Sequence, residues 1–203
     1  MTTATTTPLV RAAEPADIDE LIRLRAYLLD GDGPDDDGRA GPGSGPGEQG
    51  RGAADRGGGS VPLPYTATGA AARAAWRAGY RAWLQEKLPH DAEVCVAVAP
   101  GPGRLRACAL AVLDQRPPSP AYPSGRAAWM QTLVTDPRDR GQGLGTAVVD
   151  HLFDWARARG VDVAVMQSAD GAVEFHRRAG WLPTGEGLYY QPVAPGRTED
   201  RTP

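Results

Sequence analysis

The sequence predicts a single α/β domain. Segments with strand-like and helix-like apolar spacing alternate along 203 residues, a length that suits one domain with a substantial core. The turn Pro100-Gly101-Pro102-Gly103 separates two apolar strand patterns and therefore predicts a hairpin. Between residues 127 and 160 a third strand pattern runs through closely spaced glycines directly into a helical pattern. Together these observations predict strands and helices packed around one core.

The individual elements are predicted in chain order. A short strand over residues 9–13 precedes a helix whose apolar residues recur from Ile18 to Leu29. A second helix over 68–88 carries a stripe of aromatic residues, a pattern that is more typical of a core face than of ligand contacts. The remaining strands are predicted over 93–99, 105–114, 127–135, 161–166 and around 188–190. The remaining helices are predicted from the glycines to near Gly160 and over 170–179.

Two segments are predicted to lie outside the packed core. Between residues 31 and 59, 12 of 29 residues are glycine, and almost no apolar side chains separate them. Such a segment cannot offset its ordering entropy by burial, so we expect a mobile insert over residues 31–62. Four aspartates near its start leave a second interpretation open, an acidic flap that attracts a cationic substrate. With a disordered tail over 194–203, the predicted domain covers residues 8–193.

Composition excludes several classes of protein. The formal charge of −3 argues against nucleic acid as a partner, because binding of its phosphate backbone requires a clear basic excess. No apolar run approaches the roughly 20 residues that span a bilayer, and the uncharged start does not resemble a signal peptide. Cys95 and Cys108 fall in neighbouring predicted strands, at a separation that suits a hairpin contact, and are interpreted as reduced, small apolar residues. We therefore expect a cytoplasmic protein without membrane contact.

The glycine-rich turn over residues 140–146 predicts a binding site for an anion. Glycines allow a tight turn and close approach of a ligand, and the first amides of the following helix lack partners within the helix. A Walker loop is a weak match because no lysine stands before Thr146. A dinucleotide fingerprint counted from Gly141 would require glycine at position 146, so that alternative is weak as well.

The remaining pattern resembles a known coenzyme A signature. In the run Arg140-Gly141-Gln142-Gly143-Leu144-Gly145, an arginine is followed by two residues, glycine, one residue and glycine. This spacing is similar to the signature of the GNAT superfamily of N-acetyltransferases. Two flanking segments, 11–18 and 172–181, look like that family's first strand and helix start and its later helix. The resemblance covers most of the chain outside residues 31–59 and the tail.

The resemblance implies both a fold and a donor substrate. The fold would be a mixed, mostly antiparallel central sheet with helices on both faces, splayed open between two neighbouring strands. The donor would be acetyl-CoA, with no metal. Backbone amides of the glycine turn would hold its pyrophosphate, and the splayed strand would bind its pantetheine arm. The implied coenzyme-binding residues are Leu133, Val134, Thr135, Arg140, Gly141, Gln142, Gly143, Leu144, Gly145 and Thr146.

Catalytic residues are implied less completely. Many members of the family protonate the leaving thiolate with a tyrosine of the later helix, and His176 occupies the matching position here. Histidine can donate a proton near neutral pH, although a packing role for His176 stays open. Tyr189 and Tyr190 are alternative acids. The expected strand glutamate is absent, so we expect deprotonation of the acceptor through water, with Gln131 orienting water or acceptor.

These observations predict an acetyl-CoA-dependent N-acetyltransferase. The acceptor would be a primary amine, with a small molecule as the leading expectation, and it would attack the thioester directly in a ternary complex. Two alternatives stay open: a non-catalytic acyl-CoA-binding module, and a protein or peptide N-acetyltransferase. The identity of the acceptor, the general base and a homodimeric assembly are not decided by the sequence.

Overall fold

The computed structural model describes residues 9–30, 67, 69–88, 91–168 and 172–184. Within these residues, five strands form one sheet: β1 (Arg11–Ala12), β2 (Val94–Gly101), β3 (Arg104–Gln115), β4 (Arg126–Thr135) and β5 (Val163–Met166). The helices are α1 (Ile18–Leu29), α2 (Ala70–Lys87), α3 (Leu144–Arg157) and α4 (Val173–Arg178). Short 3-10 turns cover Pro15–Asp17 and Pro137–Asp139. The structure thus has the predicted α/β character.

The sheet is mixed and mostly antiparallel. Its strands follow chain order from β1 to β5; neighbours from β1 to β4 are antiparallel, and only the β4–β5 pair is parallel. The predicted hairpin joins β2 to β3, and its turn contains Gly103 at a φ of 67°. A parallel pair requires a crossover, which α3 supplies between β4 and β5.

Helices cover both faces of the sheet. On one face, α1 and α2 pack through residues such as Leu21, Leu24 and Leu84 against the larger side chains of β2 and β3. On the other face, α3 packs through Val148 and Leu152 against a row of small side chains. That row comprises Ala97, Ala99, Ala107, Ala109 and Ala111. Since successive side chains of a strand point to opposite faces, the alternation of alanine with larger residues in β2 and β3 produces two different surfaces.

The sheet opens between β4 and β5, as the family resemblance implied. Their parallel pairing runs from Ala127–Val163 to Met130–Met166, and β4 then continues to Thr135 without a β5 partner among the described residues. On its other side β4 stays paired to β3 throughout, with one irregularity. Leu110 pairs with Thr132 and Ala111 with Met130, so Gln131 is an extra residue, a β-bulge. The bulge therefore lies where the two strands begin to separate.

Most predicted elements are confirmed, with small shifts at their ends. The first strand is shorter than predicted, and the last helix covers Val173–Arg178 rather than 170–179. The hairpin contact between the cysteines is wrong, because Cys95 packs on the α3 face and Cys108 on the face covered by α1 and α2. The predicted strand around 188–190, the insert over 31–62 and the tail over 194–203 lie outside the described residues.

Candidate active site

The glycine turn connects the end of β4 to the start of α3. Gly141 and Gly143 have φ values of 76° and 75°, a left-handed conformation that side chains with a Cβ rarely adopt. Gly143 is the residue before α3, and its carbonyl accepts the first helical bond, from the amide of Ala147. The amides of residues 144–146 therefore have no partner within the 14-residue helix, and they carry the positive end of its dipole.

The turn offers an open surface to a ligand. A Cβ placed on Gly141 or Gly143 would meet no atom within 4 Å, and Arg140, Gly141, Gln142 and Gly143 are exposed. Free amides, a helix N-terminus and an exposed arginine together fit the pyrophosphate of coenzyme A. The predicted coenzyme-binding residues thus lie along one segment, from the open edge of β4 to the first turn of α3, with the side chains of Val134 and Leu144 buried in the core.

A buried carboxylate fixes this turn to the rest of the domain. Asp136 follows β4 directly and is 0% exposed, and its carboxylate pairs with Arg23 of α1 at 2.9 Å and with Arg104 and Arg138 at 3.1 Å. Burial alone would raise its pKa, but hydrogen bonds from Arg138 and Arg23 outweigh burial and lower the pKa of Asp136 to about 2. Asp136 is therefore ionised over the physiological range and holds the turn between α1 and β3.

A second carboxylate extends this connection. Asp139, in the 3-10 turn before the glycines, pairs with Arg104 at 2.6 Å and with Arg106 at 3.0 Å. Arg106 also donates to the side chain of Gln142 inside the glycine turn. Strand β3 thus carries two arginines that hold the loop leading to the glycine turn.

Helix α4 lies beside the first turn of α3. A Cβ on Gly145 would lie 3.4 Å from Thr135 Oγ1 and 3.5 Å from the ring of Phe175. The absence of a side chain at Gly145 therefore leaves room for the end of β4 and for Phe175 to approach α3. The resemblance assigned Thr135 and Gly145 to coenzyme binding, and the structure brings both next to the helix that carries His176.

His176 is buried beneath this contact. It is 8% exposed, and its ring lies 5.2 Å from that of Phe175 and 6.3 Å from that of Trp181, edge-on to both. Burial lowers the pKa of His176 below its usual 6.5, because the charged imidazolium loses solvation. Its Nδ1 has no hydrogen-bond partner among the described residues. Tyr189 and Tyr190, the alternative acids, lie outside the described residues.

A cavity of about 440 Å³ opens on the opposite face of the domain, between the sheet and helices α1 and α2. Its volume falls in the range of about 300–1,000 Å³ that is typical of small-molecule sites. It reaches the sheet at Gln131, the bulged and exposed residue where β4 leaves β5. The described residues that line it are Arg25, Leu29, Trp76, Gly79, Tyr80, Trp83, Leu110, Val112 and Gln131.

The walls of this cavity are aromatic and aliphatic, with one cation. Arg25 is the only charged side chain among the described lining residues, and its guanidinium lies 4.3 Å from the centre of the Tyr80 ring. Burial raises the pKa of Tyr80 to about 12, so its hydroxyl stays protonated. Sequence reasoning had assigned the aromatic stripe to the core. Tyr80 and Leu84 are indeed buried, and Trp76 and Trp83 are partly buried and pack against the same core while lining the cavity.

The carboxylates of Glu93, Asp114 and Glu174, which could act as general bases by chemistry, do not line the cavity. Asp114 pairs with Arg116, and Glu93 accepts a hydrogen bond from Gln115. Glu174 is exposed on α4, 3.8 Å from Arg178. No described residue that lines the cavity is a carboxylate. Gln131 is thus the sequence-predicted residue that the structure places at the cavity.

A mixed sheet that opens beyond a bulge, next to a glycine turn and a helix N-terminus, defines a coenzyme A-dependent acyltransferase fold. The family model described as the Acetyltransferase (GNAT) family matches residues 67–181, more than half of the chain. The chain therefore belongs to the GNAT family of acetyltransferases, and membership implies acyl transfer from acetyl-CoA. None of the curated proteins matches the sequence.

Solved structures share the fold at low sequence identity. A predicted acetyltransferase from Clostridium acetobutylicum, solved with acetyl-CoA, has a TM-score of 0.61 at 18% identity, over 90% of this chain and 95% of its own. Glucosamine-6-phosphate N-acetyltransferase from Arabidopsis thaliana has a TM-score of 0.58 at 15% identity, covering 92% and 99%. AAC(6')-Iy, solved with the bisubstrate analogue CoA-S-monomethyl-acetylneamine, has a TM-score of 0.58 at 13% identity, covering 93% and 100%.

Two further observations concern the described part of the chain. It contains no group of three or more His, Cys, Asp or Glu side chains arranged to hold a metal ion. Its helices include none with the length and apolar character needed to cross a membrane.

Proposed function

We propose that this protein transfers the acetyl group of acetyl-CoA to the primary amine of a small molecule. The observation that carries the proposal is that the glycine turn and the cavity adjoin opposite ends of one stretch of β4. The glycine turn follows Thr135 at one end of this stretch, and the cavity reaches Gln131 at the other. The four steps between these residues span about 13 Å of extended chain, with no β5 partner for their edge among the described residues.

The proposed donor site consists of backbone and one arginine. Amides of residues 141–146 would bind the pyrophosphate, and Arg140 would add a charge-assisted contact. Backbone groups of Leu133, Val134 and Thr135 on the open edge of β4 would hold the pantetheine arm. This arrangement would direct the thioester toward Gln131 and the cavity behind it.

The proposed reaction is a direct attack. The amine nitrogen forms a bond to the thioester carbonyl carbon, the carbon–sulfur bond breaks, and coenzyme A leaves as a thiolate. Water near Gln131 would take the proton from the amine, and His176 would return a proton to the sulfur.

The cysteines support a ternary complex without an acyl-enzyme intermediate. Burial raises the pKa of Cys95 to about 11 and that of Cys108 to about 12. Both thiols are free and buried, and neither lines the cavity. Because the thiolate is the nucleophilic form, neither cysteine is suited to accept the acetyl group first. Two buried, free thiols also fit the proposed location in the cytoplasm.

The volume of the cavity indicates the size of the acceptor. A volume of about 440 Å³ suits a small molecule more closely than a folded protein substrate. The names of two proteins with a similar fold also support a small-molecule acceptor. One is a glucosamine-6-phosphate N-acetyltransferase, and the other was solved with the bisubstrate analogue CoA-S-monomethyl-acetylneamine. A peptide acceptor and a non-catalytic acyl-CoA-binding module remain the alternatives.

The test is turnover with a panel of acceptors. The purified protein is mixed with acetyl-CoA and with aliphatic amines, aromatic amines, amino acids, polyamines and peptides. Release of free thiol is recorded, and the product is identified by mass. A gain of one acetyl group on a small amine supports the proposal. Acetyl-CoA binding at micromolar concentration without any turnover would favour the binding module, and acetylation of peptides alone would favour the protein acetyltransferase.

A further inference from the structure

We propose that the acceptor is a primary amine with an apolar, preferably aromatic, body and a carboxylate that Arg25 binds. Hydrophobic amino acids are the simplest members of this class. The inference rests on the proposed function and deepens it, because the family and its fold leave the acceptor open. The cavity wall is apolar and aromatic around Arg25, the one charged side chain among its described lining residues.

The wall of the cavity selects for an apolar body. Trp76 and Trp83 are half-exposed on one helix face, and Leu110 and Val112 form the floor on β3. Aromatic rings at such positions gain free energy when a ligand covers their remaining exposed surface. A sugar or a polyamine would leave that surface in contact with hydroxyl groups or charges. An aliphatic or aromatic group would bury it.

Arg25 differs in its ion pairing from three other arginines of helices α1 and α2. Arg23 pairs with Glu20 and Asp136, Arg77 with Asp30, and Arg81 with Asp19. Arg25 has no carboxylate partner among the described residues, although it lies in a helix pair rich in such contacts. An arginine without a carboxylate on the wall of an apolar cavity can complete its ion pair with a ligand.

The contact of Arg25 with Tyr80 leaves the guanidinium able to bind the carboxylate of a ligand. The guanidinium lies over the ring, 4.3 Å from its centre, and this cation–π contact holds its position. The N–H donors of a guanidinium lie in its plane, and they match the two oxygens of a carboxylate in a bidentate pair. Arg25 also hydrogen-bonds the Tyr80 side chain, but a guanidinium has five N–H donors, so further donors remain for a ligand.

The charge of the cavity argues against a polycationic acceptor. A second ammonium group would lie near Arg25 with no carboxylate among the described lining residues to compensate it. By contrast, an amino acid carries its amine on the carbon next to the carboxylate, so a carboxylate bound at Arg25 would hold the amine in the cavity that Gln131 also lines. The apolar body would then contact the tryptophans.

The experiment compares amino acids with their decarboxylated counterparts. Values of kcat/KM are measured for phenylalanine against phenethylamine and for tryptophan against tryptamine, with spermidine as a polycation. We expect each amino acid to exceed its amine at least tenfold. Arg25→Gln should lower this ratio at least tenfold, and Arg25→Lys should restore part of it. Arg81→Gln is the matched control, since Arg81 is exposed on α2 and does not line the cavity, and it should leave the ratio unchanged.

Binding separates this inference from the proposed reaction. Phenylalanine and phenethylamine are titrated against the protein with saturating coenzyme A, and heat is recorded by calorimetry. If phenylalanine binds more tightly and Arg25→Gln removes the preference, while no amine is acetylated, the ligand class holds and the reaction fails. Equal binding of the two ligands, a preference for spermidine, or a preference that persists in Arg25→Gln would overturn the inference. Thermal unfolding of each variant verifies that the fold is intact.

Discussion

The proposed donor and acceptor halves of the site differ in how they are held together. The donor half is one continuous segment, fixed by two buried carboxylates that pair with four arginines and by glycines with positive φ. The acceptor cavity combines residues of α1, α2, β3 and β4, and packing of rings and aliphatic side chains holds it. The donor half therefore depends on buried ion pairs and backbone conformation, whereas the shape of the cavity depends on side-chain packing. Removal of the Asp136 charge or of a glycine with positive φ should damage the donor half more than the cavity.

The largest effect is expected from removal of the buried charge. Asp136→Asn keeps the size of the side chain but leaves Arg23, Arg104 and Arg138 without its negative charge. We expect the free energy of unfolding at pH 7 to fall by about 3 kcal/mol, measured by urea denaturation. Asp154→Asn is the control, since Asp154 is exposed on α3 and pairs with Arg157, and it should cost less than about 1 kcal/mol.

The same variant has a defined pH dependence. Since the folded pKa of Asp136 is about 2, below the unfolded value of 3.8, its charge stabilises the fold fully above the unfolded pKa. That stabilisation is lost as pH falls from about 4 to 2, where the native side chain becomes protonated. The difference in stability between the native protein and Asp136→Asn should therefore shrink over this interval. A difference that stays constant down to pH 2 would show that the charge is not the cause.

An intermediate effect is expected from the glycine turn. Gly143→Val forces a β-branched residue into a left-handed conformation and displaces the amides that begin α3. Affinity for coenzyme A, measured by calorimetry, should fall by about 10- to 100-fold, which corresponds to one charge-assisted hydrogen bond. Binding of acceptor to the cavity should change less.

Gly160→Val supplies the matched control for this change. Gly160 follows the other end of α3 at a φ of 66°, and a Cβ there also meets no atom within 4 Å. The backbone penalty is therefore similar at both ends of the helix, while only Gly143 adjoins the proposed pyrophosphate site. If both variants lose coenzyme A affinity equally, the glycine turn is not the binding site of the pyrophosphate.

The smallest effect is expected from His176, which lies beside the donor half. If His176 protonates the leaving thiolate, His176→Gln should lower kcat by roughly tenfold at acidic pH, a modest factor because a thiolate leaves readily. Burial lowers the pKa of His176, so its protonated form disappears as pH rises through a value below 6.5. The ratio of native to variant kcat between pH 5 and 9 should therefore decline toward one. A ratio that does not vary with pH would assign His176 to packing against Phe175 and Trp181.

The donor half is contiguous in the sequence and the cavity is not, and this difference explains what the sequence could predict. The donor half was predicted because its residues are contiguous: positive φ at Gly141 and Gly143 and a helix start at Leu144 leave a local pattern. The hairpin and the alternation of alanine with larger residues are local in the same sense. The bulge at Gln131 was not predicted, since it depends on the register between β3 and β4.

The cavity proposed for the acceptor was not predicted, because its residues are far apart in the sequence. Arg25 and Trp76 are separated by some 50 positions, and nothing in either helix indicates that they face one cavity. The periodicity of α2 identified the inward face, yet it could not show that Trp76 and Trp83 leave a space rather than fill it. Likewise the helix pattern located His176, whereas its burial follows from the packing of Phe175 and Trp181 around it.

The placement of the two cysteines has a practical consequence for the proposed chemistry. A protein that binds a thioester and releases a thiol risks forming a mixed disulfide with its own product whenever an oxidant is present. Here the chain's two cysteines lie on opposite faces of the sheet, buried and protonated, so they can pair neither with each other nor readily with coenzyme A. A chromogenic disulfide reagent should therefore report product release against a nearly blank background. A single cysteine introduced at an exposed position would give one selective attachment point for a fluorophore.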